Sequence, residues 1–135
     1  MRVLWLCNIM LPDVATKWGL KASNKEGWLS GICETVKRNR DFELAISFPA
    51  PKEYTNHVET IDGIKYYGFN EDTTHPEIYD ESLEEELSFI VDDFKPDVVH
   101  IFGTEFPHTL AMCRVMKNSC NKLLIGMQGV VGACF

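Results

Sequence analysis

The sequence lacks several features that would assign a chain of this size to a class directly. It has no cluster of basic residues, and its 20 Asp and Glu outnumber its 13 Lys and Arg, for a net charge of −7. That balance argues against nucleic acid as the main partner. No apolar run is long enough to span a bilayer. We therefore expect a soluble cytoplasmic protein, with attachment to the inner face of the membrane left open.

Metal-binding patterns are also missing. The five cysteines show no C-x-x-C spacing, and no set of His, Cys, Asp and Glu has the spacing of metal ligands. A G-x-G-x-x-G dinucleotide signature is absent too. We expect free thiols in a reducing compartment, no metal site and no bound cofactor.

What is present is an alternation of short apolar strands and amphipathic helices within 135 residues, enough for one domain, 1–135. The pattern predicts an α/β fold with a doubly wound, mostly parallel, Rossmann-like sheet and helices on both faces. The predicted strands are Arg2–Asn8, Phe42–Phe48, Ile64–Phe69, Val98–Phe102 and Lys122–Met127, and the predicted helices are Gly27–Asn39, Ser82–Phe94 and 107–118.

Two connections between these elements differ in how strongly they are predicted. Asp62-Gly63 is typical of a tight hairpin turn, with residues 54–60 as a short edge strand before it. Residues 9–26 show no clear period and are predicted to form a long loop, which in a compact domain is usually functional or mobile.

The polar residues of interest follow the predicted strands. Asn8 ends the first strand, and Thr104 and Glu105 follow the central one, at the carboxyl ends where open α/β sheets bind ligands. A polar turn there is equally consistent with an ordinary connection. Gly27 either forms an anion site at a helix N-terminus or only eases a turn. His108, in the first turn of a helix, is expected to be exposed.

The end of the chain suggests a larger protein. The last predicted strand is followed by an apolar segment, residues 130–135, and by no helix that would cover it. We expect the chain to be a piece of a longer protein. The alternative is that a partner or a second copy of the chain covers this end.

Three stretches, in this order and spacing, resemble the N-terminal domain of a GT-B-fold glycosyltransferase of the glycosyltransferase 4 (group 1) family. They are the opening strand Arg2–Leu6 with the later Gly27-Trp28-Leu29, the Pro-Asp-hydrophobic-His strand of Lys95–Gly103, and Leu124–Gly129, which ends in Gln-Gly. The chain departs from the family's pattern at three places: Glu26 precedes a single glycine, Phe102 replaces a second histidine, and Gln128 replaces a histidine that lines the sugar-donor site.

The resemblance implies an enzyme of polysaccharide biosynthesis. It would transfer a sugar from a nucleotide-sugar to an acceptor hydroxyl, with retention of configuration and without a metal. The acceptor would be a carbohydrate or a lipid-linked sugar. The donor-binding C-terminal domain would be absent, and the 135 residues alone would be inactive.

The resemblance also implies roles for individual residues, although none is implied to be catalytic. Donor binding falls to Gly27 and Gln128, and the cleft on the acceptor side would be lined by Asn8, Trp18, Thr104, Glu105 and Gly129.

Two other functions remain open. A sugar-nucleotide epimerase also uses the GT-B fold, and its N-terminal half would look much the same. A non-catalytic flavodoxin-like domain is the second, either binding a nucleotide or a partner or associating with itself through residues 130–135. A phospho-accepting receiver domain is set aside, because Asn8 and Gly103 stand where it needs acidic residues.

Overall fold

A computed structural model describes residues 1–20, 31, 35, 41–55 and 57–126 of the chain. The strands are β1 (Arg2–Leu6), β2 (Glu43–Pro49), β3 (Val58–Ile61), β4 (Ile64–Phe69), β5 (Val98–Phe102) and β6 (Leu123–Gly126). The helices are α1 (Pro12–Lys17), α2 (Ser82–Phe94) and α3 (Pro107–Val115), with short 3-10 turns at Lys52–Tyr54 and Lys117–Lys122.

The strands form one six-stranded sheet in the order β3-β4-β2-β1-β5-β6. Every neighbouring pair is parallel except β3 and β4. β1 lies in the middle, paired with β2 on one side and with β5 on the other. The predicted α/β class and mostly parallel sheet are confirmed. Because the chain changes direction across the sheet at β1, a crevice is expected between the carboxyl ends of β1 and β5.

The hairpin at the edge of the sheet follows its turn chemistry. Asp62 and Gly63 both have positive φ, 52° and 81°, and they join β3 to β4 with Ile61 opposite Ile64. Two positive φ angles give the turn the twist that the flanking strands require. The predicted turn is confirmed, and the edge strand before it is present but shorter than predicted, at Val58–Ile61 instead of 54–60.

The prediction of an unstructured loop over residues 9–26 was wrong in its first part. α1 begins at Pro12, a residue suited to a first helical turn, and it buries Val14 and Ala15. Six residues are too few for a helical period to be visible in the sequence, so packing determines this helix.

Strand residues alternate between two apolar layers because successive side chains point to opposite faces of a sheet. Leu4 and Leu6 of β1 join one layer, in which α2 and α3 pack, whereas Trp5 and Cys7 join the other with Val14 of α1. Most of the predicted helix Gly27–Asn39 lies outside the described residues. Gly31 and Thr35, the two of its residues that the structure describes, are helical.

Asp97 anchors the start of β5 to the start of β1. Its carboxylate accepts a hydrogen bond from the Arg2 backbone N–H (2.8 Å), and its own N–H donates to the Arg2 carbonyl (2.7 Å). The Pro-Asp pair before β5 therefore sets the register of the two strands that flank the crevice.

Replacing Lys95 with glycine is expected to stabilise the protein. Lys95 ends α2 in the left-handed conformation (φ 54°), which glycine adopts without a steric penalty. We expect a gain of about 0.5–1 kcal/mol in the free energy of unfolding, measured by urea denaturation. Lys95→Ala, which keeps the Cβ, is the control, and an equal gain in both variants would contradict this explanation.

Tyr67 makes the stability of the protein sensitive to alkali. It is 1% exposed, and its hydroxyl donates to Asp93 (2.7 Å). Burial, followed by this hydrogen bond and the charge of Asp93, raises the pKa of Tyr67 above its usual value. A raised pKa stabilises the folded state below about pH 10, and this stabilisation is lost as pH rises further.

Tyr67→Phe is therefore expected to reduce the free energy of unfolding by about 1 kcal/mol at pH 7 and to flatten its decline above pH 10. Asp93→Asn should make that decline smaller and end at a lower pH, because it removes a charge that opposes ionisation of Tyr67 in the folded protein. Urea denaturation between pH 7 and 11.5 measures both effects. An unchanged slope in Tyr67→Phe would show that another group causes the decline.

Candidate functional site

The carboxyl ends of β1, β4 and β5 bring a group of polar side chains together beside the first turn of α3. β1 leads to Asn8, β4 leads to Glu71, and β5 leads to Glu105, while α3 contributes His108. The strand order places these residues at one edge of the sheet, beside the predicted crevice.

The turn after β5 depends on Gly103. Its φ is +94°, and a Cβ there would collide with the carboxylate of Glu105 and lie 3.1 Å from Asn8 Nδ2. The Gly103 carbonyl accepts a hydrogen bond from the Thr109 hydroxyl (2.9 Å), and its N–H donates to the Gly126 carbonyl (2.7 Å). These bonds hold the turn against the start of α3 and the end of β6.

Asn8 and Glu105, both predicted from the sequence, are in direct contact. Asn8 Nδ2 donates to Glu105 Oε2 at 3.0 Å. Thr104 and Glu105 are both exposed. The site therefore presents a solvent-accessible carboxylate, one oxygen of which is held by an amide from a neighbouring strand.

The prediction that His108 is exposed was wrong, because its side chain is completely buried. Its Nδ1 lies 2.8 Å from Glu71 Oε1, and its backbone N–H donates to Glu71 Oε2 at 2.9 Å. Its Nε2 lies 2.9 Å from Asn8 Oδ1. Glu71 is nearly as buried, at 3% exposure. The first turn of α3 is thus capped by a buried carboxylate, which complements the helix dipole.

Sequence analysis missed Glu71 altogether and misplaced His108. One signal was present in the helix itself: His108 stands three and four residues before Ala111 and Met112, which are both buried. Residues at that spacing share a helix face, so His108 belongs to the inward face of α3. Nothing local marks Glu71, which lies in a polar loop 37 residues from its partner.

Trp18 lies in a separate aromatic cluster in the second apolar layer. Its ring stacks on Tyr54 with centroids 4.6 Å apart, and it also contacts Phe48 and His57. Within the described part of the chain, no hydrogen bond or ring contact joins it to Asn8 or Glu105. Gly27, Gln128 and Gly129, the other predicted site residues, lie outside the described residues.

His100 in β5 stacks on Phe102, with ring centroids 4.1 Å apart, and burial lowers the pKa of His100. It is half-buried in the sheet, and Gly126 packs near its Nε2. The His100 ring therefore packs against its own strand and the end of β6.

A cleft of about 140 Å3 adjoins the polar group on the side of Glu71. Its lining includes Asn70, Glu71, Asp72, His75, Asp80 and Pro107. Hydrogen bonds from the hydroxyl and N–H of Thr74 lower the pKa of Asp72, and those of Ser82 lower the pKa of Asp80. Both carboxylates are therefore ionised at neutral pH, and the cleft wall is acidic.

Within the described ranges, no group of three or more His, Cys, Asp and Glu side chains is placed to hold a metal ion. No helix there is long and apolar enough to cross a membrane.

Comparison of the chain with protein-family models, with curated proteins and with solved structures finds no match. The class of the protein is therefore defined by its topology, an α/β domain with a Rossmann-like, mostly parallel sheet. Its function has to be argued from the group of polar residues at the carboxyl edge.

Proposed function

We propose that this chain is the acceptor-side domain of a GT-B-fold glycosyltransferase that uses a nucleotide-sugar donor. The observation that carries the proposal is the joining of Asn8 to Glu105 across the ends of β1 and β5. In this topology a substrate lies at that point of strand reversal. The sequence resemblance supplies the reaction class.

In the proposed reaction the anomeric carbon loses its bond to the donor diphosphate and gains a bond to the acceptor oxygen. The acceptor hydroxyl releases its proton, and the nucleoside diphosphate leaves. Glu105, Thr104 and Asn8 would line the acceptor side, and Trp18 would shape the outer pocket. Gly129 would also line the acceptor side, whereas Gly27 and Gln128 would face the donor, which a second domain would mainly bind.

The proposal extends to the rest of the architecture. A helix over residues 27–39 would cover the second face of the sheet and complete the doubly wound half of a GT-B fold. The enzyme would work in the cytoplasm, at the inner face of the membrane if its acceptor is lipid-linked.

The first experiment is to determine the intact mass of the protein as its native source makes it. A chain much longer than 135 residues is expected. Radiolabelled UDP-glucose, UDP-galactose and GDP-mannose are then titrated onto that native protein. Binding of a donor and transfer of its sugar to an alcohol acceptor would support the proposal.

Other outcomes would decide between the alternatives. Conversion of a nucleotide-sugar into its epimer without transfer would indicate the epimerase. A native chain that ends at Phe135 and binds none of these donors would indicate a small binding domain and would contradict the transferase.

A further inference from the structure

A continuous line of hydrogen bonds runs from a buried carboxylate to an exposed one. It starts at Glu71, passes through the ring of His108 and the amide of Asn8, and ends at Glu105. The two bonds made by Asn8 connect residues 100 and 97 positions away in the sequence. The line therefore exists only in the folded protein.

The chemistry of the four groups determines where hydrogen lies along the line. One hydrogen lies between His108 Nδ1 and Glu71 Oε1, because two acceptors 2.8 Å apart would repel each other. The Asn8 amide donates from Nδ2 to Glu105, which leaves its oxygen facing His108 Nε2, so that nitrogen donates as well. The opposite amide orientation would set Asn8 Oδ1 against Glu105 Oε2, two acceptors in contact. Nε2 of His108 therefore carries hydrogen, and Nδ1 shares a hydrogen with Glu71.

The consequence is that Glu105 is fixed although it is exposed. An exposed glutamate ordinarily samples many rotamers, and ordering it costs about 1.5–2 kcal/mol. Here Asn8 holds one oxygen, and the bare backbone of Gly103 provides the space that the carboxylate occupies. A carboxylate held in one place before a ligand arrives is a pre-organised hydrogen-bond acceptor.

The charge around this acceptor limits what it binds. Glu105 itself is acidic, and the neighbouring cleft wall contributes Asp72 and Asp80. The His108 ring lies 2.8 Å from the Glu71 carboxyl group, so among the described residues it adds no uncompensated positive charge beside Glu105. A phosphate approaching Glu105 would meet repulsion between like charges, whereas an uncharged hydroxyl would donate to the carboxylate without that penalty.

We propose that Glu105 binds a hydroxyl group on an uncharged part of the acceptor, and that Asn8, His108 and Glu71 are positioning residues for it. This inference rests on the proposed glycosyl transfer and specifies the acceptor. Glu105 itself would contact the acceptor. His108 and Glu71, which are buried, would act on Glu105 only through Asn8.

Kinetics with the full native protein test the inference. The probes are uncharged octyl glycosides and their 6-phosphates as acceptors, with the radiolabelled donors above. We expect Asn8→Ala and Glu105→Gln to raise the KM for the octyl glycosides about tenfold or more, with the donor KM unchanged. Wild-type protein should prefer the uncharged probes over their phosphates, and Glu105→Gln should reduce that preference.

Glu85→Gln and His108→Gln guard against a purely structural effect. Asn8→Ala leaves the Glu71–His108 bond in place but removes the acceptor of the buried His108 Nε2, so its folding is checked by far-UV circular dichroism. Glu85→Gln removes a carboxylate that is exposed on α2, and it should leave both KM values unchanged. His108→Gln retains a side-chain donor and should raise the acceptor KM less than Asn8→Ala does.

A spectroscopic measurement tests the line of hydrogen bonds independently of transfer. In 15N spectra of histidine-labelled protein, Nε2 of His108 should carry hydrogen. In Glu105→Gln the new side-chain oxygen accepts from Asn8 as the carboxylate does, whereas Asn8→Ala removes the acceptor of Nε2. We expect Asn8→Ala to shift the Nε2–H signal, and Glu105→Gln and Glu85→Gln to keep it.

The outcomes separate this inference from the proposed function. Transfer with an acceptor KM that Asn8→Ala and Glu105→Gln leave unchanged would overturn the inference and leave the transferase intact. An Nε2–H signal that Asn8→Ala leaves unchanged would overturn the positioning role of His108. Native protein that transfers sugar from none of the donors to either set of probes would overturn both proposals.

Discussion

Replacing His108 with leucine is expected to lower the free energy of unfolding by about 3–5 kcal/mol. Glu71 would remain in the core, 3% exposed, without the ring that neutralises it. The α3 backbone N–H would be its one remaining partner among the contacts described here. A loss of this size is a large share of the stability of a small domain. Urea denaturation followed by far-UV circular dichroism measures it.

A double-mutant cycle tests whether the loss arises from the uncompensated carboxylate. Glu71→Gln removes the charge and keeps an oxygen that can cap α3. The double variant His108→Leu with Glu71→Gln should therefore be more stable than His108→Leu alone. If the two single losses simply add in the double variant, the pair is not coupled and this explanation fails.

Replacing Gly103 with alanine is the second change with a large expected effect. The residue would have to adopt φ near +94°, which costs about 1–2 kcal/mol for a side chain with a Cβ. The new methyl group would also collide with the exposed Glu105 carboxylate, which would have to move and lose its hydrogen bond to Asn8, a further cost of about 0.5–1.5 kcal/mol. We expect a total loss of about 1.5–3.5 kcal/mol and the displacement of Glu105 from Asn8.

Gly63→Ala is a matched control for this prediction. Gly63 also has positive φ, 81°, but a Cβ there would meet no atom within 4 Å. It should therefore lose only the conformational part, about 1–2 kcal/mol. The difference between the two variants measures the collision at the site. Equal losses would show that Glu105 moves aside freely, which would also weaken the case that it is pre-organised.

The two large effects concern the same few residues for a physical reason. Removing one partner of a buried pair and adding a side chain to a crowded glycine both lower the free energy of unfolding through local contacts. Both changes also act on the position of Glu105. The Tyr67 and Lys95 variants, by contrast, change single contacts away from the carboxyl edge and should leave acceptor binding unaltered.

Local features of this protein were visible in the sequence because they depend on neighbouring residues. The period of apolar residues predicted α2 at Ser82–Phe94, and Asp62-Gly63 predicted the hairpin from its turn chemistry. Pro107 marked the start of α3. The β–α alternation likewise indicated a mostly parallel sheet. Among the site residues, Asn8 and Glu105 were predicted because each follows a strand.

Only the tertiary structure decided which side chains meet at the site. The bonds from Asn8 to Glu105 and to His108 span 97 and 100 residues, and Glu71 reaches His108 across 37. No local pattern encodes such pairs, since they follow from strand order and from the packing of α3 on the sheet. For the same reason the burial of His108 and the six-residue helix α1 depend on the fold. The sequence by itself determined the elements and their order, and the packing of those elements determined the hydrogen-bonded line that ends at Glu105.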